Sequence, residues 1–397
     1  MMTHLLQRYS SELQKELSEI LKYWMQYAPD EKHGGFYGKI DHANTIDETA
    51  PRGAVLNARI LWSFAAAYNC TGNVQYLPLA HRAYKYINQY FIDTAAGGTF
   101  WSVNFKGEPA DTKKQVYAIA FLLYAYSEYY QSTQLEDAKR RAIGLYHLIE
   151  QHSFDSHQTG YLEAFTRDWQ PIGDLRLSSK DANEKKTMNT HLHILEAYTN
   201  LYRIWPDEKL HRSIVLLINN FTSHIIDKNT WHLNLFFNET WQVKSHIISY
   251  GHDIEAAWLL LEAAAVTGDA SLIEDLKEIA VNIANAAIEG LDTDGGMWYE
   301  KDGDHLVKEK HWWPQAEAMI GFYNTWQITG NQQYLQHSVD SWEFIKKSIK
   351  ATNGEWIWGL DEHNQPMQKE DKVGLWKCPY HNSRACMEVI RRINTDL

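Results

Sequence analysis

The sequence has few cysteines and no long apolar run, the features that would indicate a secreted or membrane protein. Its 397 residues include 3 cysteines, at Cys70, Cys378 and Cys386, which are too few for a disulfide framework. Residues 3–27 are amphipathic rather than apolar, and no run of about 18 apolar residues occurs anywhere. We therefore expect a cytoplasmic protein without a signal segment or a membrane span.

Positive charge is also scarce. Lys and Arg total 38 against 50 Asp and Glu, so the formal net charge is −12 at pH 7. Negative charge of this size disfavours nucleic acid and anionic membranes as partners. Aromatic residues are plentiful, with 16 Trp and 23 Tyr. Flat rings with one polar atom suit the faces of sugars, although they suit helix cores as well.

The most informative pattern is an internal repeat of about 60 residues. Each unit has an apolar helix, a break that often contains Thr-Gly, and a second, amphipathic helix. An all-round apolar helix is buried, whereas an amphipathic helix faces solvent on one side. The apolar segments are 60–68, 118–126, 194–201, 256–265 and 316–326. The amphipathic segments are 76–90, 135–149, 210–224, 272–288 and 334–349.

A first helix near 3–27 and a last helix near 380–393 would bring the total to six inner and six outer helices. This pattern predicts an all-α fold, an (α/α)6 barrel of six helical hairpins forming a single domain over 1–397. The alternative is an open superhelical solenoid. Closure is favoured because the first helix can pair with the last. A closed barrel buries its own apolar helices, so we expect a monomer.

The connections between hairpins share a second pattern, in which Gly precedes aromatic or β-branched residues. Such segments predict short β-hairpins on one rim of the barrel. They occur at 34–37, 97–101, 160–163, 295–298 and 354–358.

In a barrel the inner helices run in one direction, so their N-termini meet at one end, here called the mouth. Counting back from each break places polar residues there. Gly251 interrupts the chain just before the apolar helix, and His252 and Glu255 share one helical face. The residues expected at the mouth are Asn57, Tyr117, His191, His252, Glu317 and His381.

Three imidazoles at one mouth suggest either metal binding or proton transfer. The metal alternative lacks support, because no His-Glu-x-x-His occurs and His191 and His193 lie on different faces. Cys378, His381 and Cys386 form only a partial ligand set, so we expect no metal. His193, Cys378 and Cys386 are expected to pack.

Two further chemistries fit the mouth. Glu255 and Glu317 would suit a glycosidase, which needs paired carboxylates, but glycoside hydrolysis does not need three histidines. An imidazole with a pKa near neutrality suits proton transfer at a carbon next to a carbonyl. A non-catalytic sugar-binding barrel is the third possibility.

Five blocks of sequence resemble the N-acylglucosamine 2-epimerase superfamily over essentially the whole chain. They lie at 52–62, 186–197, 249–256, 312–317 and 376–382. Tyr250 stands where the branches acting on monosaccharides typically have Pro, and in this the chain is similar to the branch acting on β-1,4-linked disaccharides. The resemblance implies reversible epimerisation at C2 of the reducing-end sugar, without metal or cofactor. It leaves open the preference among cellobiose, mannobiose and lactose, and the extent of accompanying aldose–ketose isomerisation.

On this basis we assign roles as hypotheses. His252 and His381 would be general acid/bases on opposite faces of C2, which of them on which face being open, and Glu255 would hold His252. His191 would move protons on O1 and O2, and Arg52, similar to an arginine of the family, would stabilise the oxyanion. Residues expected to bind sugar hydroxyls are Tyr117, Asp181, Asn189 and Glu317. Those expected to stack on sugar rings are Trp313 and Trp376.

Overall fold

Twelve α-helices alternate between an inner and an outer layer in the computed structural model, which describes residues 2–396. The inner helices are α2 (Ala54–Thr71), α4 (Val116–Thr133), α6 (Met188–Ile204), α8 (Tyr250–Thr267), α10 (Trp312–Thr329) and α12 (Tyr380–Asp396). The outer helices are α1 (Met2–Tyr27), α3 (Leu77–Tyr86), α5 (Glu136–His152), α7 (Glu208–Asn220), α9 (Ala270–Ala287) and α11 (Gln332–Phe344).

The two layers differ in burial as their sequences predict. In α2 every residue from Ala54 to Ala67 is buried, whereas α7 buries a stripe that includes Leu210, Ile214 and Leu217. Three inner helices end at a left-handed glycine, Gly72, Gly268 or Gly330. This C-terminal cap needs positive φ, which glycine adopts without steric cost, and it explains the recurrent Thr-Gly.

The inner helices form a closed ring. Each one packs on the next in the order α2, α4, α6, α8, α10, α12, and α12 packs on α2. The first helix, α1, packs on α12 and completes the sixth hairpin. The predicted (α/α)6 barrel is confirmed, and the open solenoid is wrong. Among residues 2–396, no helix is both long and apolar enough to cross a membrane.

The inner helices begin before their apolar segments do. Helix α2 starts at Ala54 rather than near residue 60, and α8 starts at Tyr250 rather than near 256. The extra first turn is polar in several repeats, so hydrophobicity alone does not mark it. These first turns line the mouth.

The rim of the mouth carries twelve short strands. They are β1 (Arg52–Gly53), β2 (Ser102–Val103), β3 (Pro109–Asp111), β4 (Lys114–Gln115), β5 (Ala164–Phe165), β6 (Lys186–Thr187), β7 (Phe236–Phe237), β8 (Ile247–Ile248), β9 (Glu300–Asp302), β10 (His305–Val307), β11 (Lys310–His311) and β12 (Gly359–Leu360). Strands on one rim were predicted, but not in these places. The Gly-aromatic segments form single antiparallel bridges, such as Ile92 with Thr99.

The strand before an inner helix pairs with a strand from the next connection. Lys114 lies opposite Phe165, and Lys186 lies opposite Phe237, both in antiparallel register. Each pairing joins two successive repeats at the rim. The rim therefore fixes where each inner helix begins.

A buried ion pair reinforces most of these junctions, and we call it the rim ion pair. Its cation lies just before an inner helix, and its acid lies in the preceding turn. Lys114 Nζ lies 2.9 Å from Asp93, and Lys186 Nζ lies 2.8 Å from Asp155, with both lysines fully buried. The complete set is Arg52 with Asp30, Lys114 with Asp93, Lys186 with Asp155, Lys310 with Asp292 and Asp294, and Lys377 with Glu355.

Candidate active site

The rim cations supply a common register for the inner helices. We count the second residue after each cation as position one, and we count α8, which lacks a cation, from Tyr250. Position six then brings charged or titratable side chains from five repeats together with one phenylalanine. These residues are Arg59, Phe121, His193, Glu255, Glu317 and Arg384.

Arg384 holds this group together. Its Nη2 donates to Glu255 Oε1 at 2.6 Å and to Glu317 Oε1 at 2.7 Å, and its Nη1 donates to Glu196 on α6. Because α6 lies opposite α12 in the ring, the guanidinium spans the barrel axis. Arg384 is 1% exposed, so the cluster closes the floor of the mouth. Sequence reasoning gave Arg384 no role.

His381 is fixed by an acid. Its Nδ1 lies 2.7 Å from Glu317 Oε1, so the ring donates to the carboxylate, and Glu317 Oε2 accepts from Trp258 Nε1 at 3.1 Å. Nε2 makes no hydrogen bond within residues 2–396 and is left as a proton acceptor. Glu317 was predicted to bind a sugar hydroxyl, but the structure makes it the residue that orients His381.

His252 is fixed by a different partner from the one predicted. Its Nδ1 lies 2.8 Å from Ser249 Oγ, while Glu255 is bonded to Arg384. The structure therefore contradicts the hydrogen bond expected between Glu255 and His252. The Trp313 ring lies close to both imidazoles, with its centroid 4.6 Å from His252 and 5.8 Å from His381.

Both imidazoles are neutral at neutral pH. Burial lowers the pKa of His252 to about 3, and the charge of His193 adds to this. Burial, Arg59 and Arg384 lower the pKa of His381 well below its usual value. A neutral imidazole with a free Nε2 is a base that can remove a proton. The mouth therefore presents two such bases beside one indole.

Two position-six residues face the same space, and sequence analysis missed both of them. Arg59 Nη2 donates to Tyr117 OH at 2.8 Å, and its Nε is buried without a protein partner. His193 Nδ1 lies 2.9 Å from Glu196, and its ring packs on Tyr117 at 5.1 Å. Despite its burial, Glu196 has its pKa lowered to about 2 by Arg384. His193 was expected only to pack.

Side chains at position four have a structural role, and His191 occupies this position in α6. His191 Nε2 accepts from Tyr161 N at 2.8 Å, and its Nδ1 donates to Thr187 O at 2.7 Å. In α10, Gln315 makes the same two bonds, accepting from Met297 N and donating to His311 O. The proton-transfer role predicted for His191 is contradicted, because both ring nitrogens are occupied and the residue is fully buried.

The Arg52 side chain is likewise held by partners at the rim. Its Nη1 donates to Gly34 O at 2.6 Å, its Nη2 pairs with Asp30, and its guanidinium lies over the Tyr86 ring. This is the rim ion pair of the first repeat. The structure contradicts the oxyanion role predicted for Arg52, which Arg59 fits better because it lies at position six of an inner helix.

The remaining predicted residues surround the mouth. Trp376 packs on Trp101 at 5.8 Å and on Tyr117 at 5.9 Å, and one part of it stays exposed. Asn189, at position two of α6, has a buried Oδ1 without a protein partner. Asp181 lies in the rim loop and accepts from Ser178 N at 2.7 Å. Burial raises the pKa of Asp181.

Glu255, Glu317 and His381 are the one metal-like group among the described residues, with ligand atoms within 4.8 Å of one another. Arg384 Nη2 already binds Oε1 of both glutamates. A guanidinium therefore supplies the positive charge that a metal ion would bring to these carboxylates. The donor set does not fit a resident metal.

The mouth of this (α/α)6 barrel presents two neutral imidazoles beside an indole, which equips it as a site for proton transfer. A family model for N-acylglucosamine 2-epimerase matches residues 35–385. The chain belongs to this family. It is 51% identical to a cellobiose 2-epimerase of Bacteroides fragilis over 96% of its length and 98% of the relative's.

Two further relatives agree with this result. A cellobiose 2-epimerase of Ruminococcus albus is 38% identical over 96% of this chain and 98% of that protein. The solved structure of cellobiose 2-epimerase from Bacillus thermoamylovorans B4167 superposes with a TM-score of 0.94 at 38% identity. It covers 97% of this chain and all of that one.

Proposed function

We propose that this protein is an isomerase that reversibly inverts C2 of the reducing-end sugar in β-1,4-linked disaccharides. Cellobiose would give glucosyl-mannose, and lactose would give epilactose. The observation that carries the proposal is the pair His252 and His381. Each is held through Nδ1 and keeps Nε2 free, and both lie close to one indole. The names of its relatives support the same activity.

The reaction begins with opening of the sugar ring to the aldehyde. One imidazole then removes the C2 proton, and the electrons of the C–H bond form a C1–C2 double bond. The carbonyl oxygen becomes the oxyanion of the resulting enediolate. Because both imidazoles are neutral in the free protein, the other imidazole first takes up a proton from water and then gives it to the opposite face of C2, and the first imidazole releases its proton to water afterwards. The electrons return to C2 as the carbonyl re-forms, so no oxidant is consumed.

The position-six residues stabilise the intermediate. We assign the oxyanion to Arg59, whose buried Nε lacks a protein partner, because a fixed charged donor stabilises developing negative charge. We assign proton movement on O1 and O2 to His193. Tyr117 and Asn189 bind hydroxyls at this level, Asp181 binds them from the rim, and Trp313 and Trp376 stack on the two sugar rings.

Other chemistries fit the geometry less well. Hydrolysis by inversion or retention needs two carboxylates facing each other across a glycosidic bond. Glu255 and Glu317 instead bind one nitrogen of one guanidinium. Within the family, a mannobiose epimerase, an N-acylglucosamine epimerase or an aldose–ketose isomerase is the alternative, because each of these reactions begins with loss of the C2 proton to give an enolate.

We further propose a single catalytic domain over 1–397 that works as a cytoplasmic monomer without metal or cofactor. Arg384 in place of a cation supports metal independence. Three free cysteines, two of them buried, suit a reducing compartment.

The test compares products from cellobiose, mannobiose, N-acetylglucosamine and mannose by NMR, with D2O as solvent. We expect inversion at C2 of the reducing sugar of cellobiose, with deuterium at that carbon. Release of monosaccharide from cellobiose, or inversion without deuterium, would contradict the proposal.

A further inference from the structure

Among the inner helices within residues 2–396, only α8, which carries His252, lacks a rim ion pair. Ile248 occupies the place of the cation. Asp227 occupies the place of the acid, and its carboxylate accepts from Asn229 instead. The start of α8 is therefore held to the rim by other means.

A histidine and an aspartate replace the missing pair. His232 Nδ1 lies 2.7 Å from Asp253 Oδ2, and Asp253 Oδ1 accepts from Leu233 N at 2.9 Å. Asp253 is fully buried, and His232 is 5% exposed. The polarity is reversed relative to the other repeats, because here the acid lies on the helix and the donor lies in the turn.

The pair is connected directly to His252. Asp253 follows His252 in the first turn of α8, and its N–H donates to Ser249 O at 3.0 Å. Ser249 in turn holds His252 Nδ1 through its hydroxyl at 2.8 Å. Displacement of Asp253 therefore moves both the backbone and the hydrogen-bond partner of His252.

We propose that His232 is a positioning residue for His252, acting through Asp253 and Ser249. The inference rests on the proposed epimerase function, in which His252 serves one face of C2. The His232 side chain pairs with Asp253 and Glu289, neither of which is a position-three or position-six residue. A shift of the reacting group by about 1 Å is enough to cost up to about 10²-fold in rate.

The surroundings of His232 define its charge. Asp253 faces its Nδ1, Glu289 lies 3.5 Å from its Nε2, and Tyr250 packs on the ring at 6.0 Å. Burial opposes the charged form, but the hydrogen bond to Asp253 and the charges of Asp253 and Glu289 raise the pKa of His232. Deprotonation removes the Nε2 donor from Glu289 and leaves the Asp253 bond intact.

The test uses three variants of the full chain. His232→Leu removes the donor. His232→Asn restores it, because the Asn amide nitrogen takes about the position of imidazole Nδ1. Lys114→Met removes a rim ion pair from α4, which carries no proposed acid/base residue, and serves as the control for loss of stability.

The readout is deuterium partitioning in D2O, started separately from cellobiose and from glucosyl-mannose. If His252 is displaced, the epimer whose C2 proton faces His381 still exchanges but inverts poorly. For His232→Leu we expect kcat to fall about 10-fold to 100-fold. For the starting epimer whose C2 proton faces His381, we also expect a change in deuterium partitioning. The ratio of deuterium in the recovered starting sugar to deuterium in the inverted product should rise several-fold. His232→Asn should restore the wild-type ratio, and Lys114→Met should keep it.

An unchanged ratio in His232→Leu, or an equal change in Lys114→Met, would overturn the inference while leaving the epimerase function in place. If wild-type protein incorporates no deuterium at C2, the proposed function fails and the inference fails with it. If His232→Leu does not fold, Asp253→Asn is the second variant. It keeps the acceptor for Leu233 N but removes the charge, and the same change in ratio is expected.

Discussion

The fourth and sixth residues of the inner helices lie within one turn of each other but have different tasks. At position four, His191, Asp253 and Gln315 bind backbone groups of the rim and hold the helix in place. At position six, Arg59, His193, Glu255, Glu317 and Arg384 face the axis, where they contact one another or their close neighbours. A histidine at position four is therefore a structural residue, whereas a histidine at position six lies among charged side chains at the axis.

This difference shows that residue type alone does not identify a catalytic side chain. His191 and Gln315 make equivalent hydrogen bonds although only one of them titrates. The direction of the side chain decides its task, and that direction follows from the register of the helix on the barrel. The predictions below test this separation.

The largest effect is expected for the mouth imidazole at position three. His381→Ala removes the proposed base and should lower kcat by about 10²-fold to 10⁴-fold, with an unchanged circular dichroism spectrum. His337→Ala, on outer helix α11, is the matched control and should retain activity. Turnover that survives in His381→Ala would remove this residue from the acid/base role.

Removal of the central cation is expected to cost stability as well as activity. Arg384→Met leaves three buried carboxylates without their partner and should lower the free energy of unfolding by about 3–5 kcal/mol, measured by urea titration. Arg391→Met breaks an exposed pair with Glu388 on the same helix and should cost at most about 1 kcal/mol. Equal losses would show that the central cluster contributes no special stability.

A smaller effect on rate is expected at the acid that orients His381. Glu317→Gln keeps an acceptor but loses the negative charge that stabilises the imidazolium, so kcat should fall about 10²-fold with KM little changed. The control for Glu317→Gln is Glu16→Gln, because Glu16 is also buried and also accepts hydrogen bonds from an indole and a cation. A fall in KM alone, or no change in kcat, would argue against the orienting role.

The smallest effect concerns pH and position four. Burial lowers the pKa of His191 to about 3, so the unfolded chain takes up a proton first as pH falls below about 6.5. Stability contributed by the neutral ring is therefore present above pH 6.5 and is lost progressively towards pH 3. His191→Gln should flatten the stability profile by about 1.4 kcal/mol per pH unit between pH 6 and 4. Urea titrations at several pH values measure this slope, and an unaltered slope would mean that His191 takes up its proton over the same pH range in the folded protein as in the unfolded chain.

The sequence was sufficient to predict the barrel and the mouth, because both depend on hydrophobic periodicity and on the common direction of the inner helices. His252, His381 and Trp313 were placed correctly at the mouth. The assignment of His191 failed because counting back from the breaks is not accurate to one residue. Helix α6 has 17 residues, whereas α8 has 18, and one residue turns a side chain by about 100°. The partnership of Glu255 with His252 was expected from their spacing on one helical face, and it failed because Arg384 binds the Glu255 carboxylate instead.

Counting from the rim cations would have given the correct register. Lys186 places His193 at the same level as Glu317 and Arg384, and Arg52 places Arg59 there. The cations are readable in the sequence, but their burial and pairing are not, since a lysine before a helix is usually solvated. The Arg384 cluster was out of reach for the same reason, because its three partners come from three different helices.

The comparison of His191→Gln with His193→Gln tests the central claim most directly. Both variants make the same chemical change on the same helix, two residues apart, and turnover of cellobiose is followed by NMR. We expect His191→Gln to keep turnover within about 3-fold of the wild type, because Gln315 shows that glutamine serves position four. We expect His193→Gln to lose about 10²-fold or more. Loss of turnover in His191→Gln with retention in His193→Gln would contradict the account.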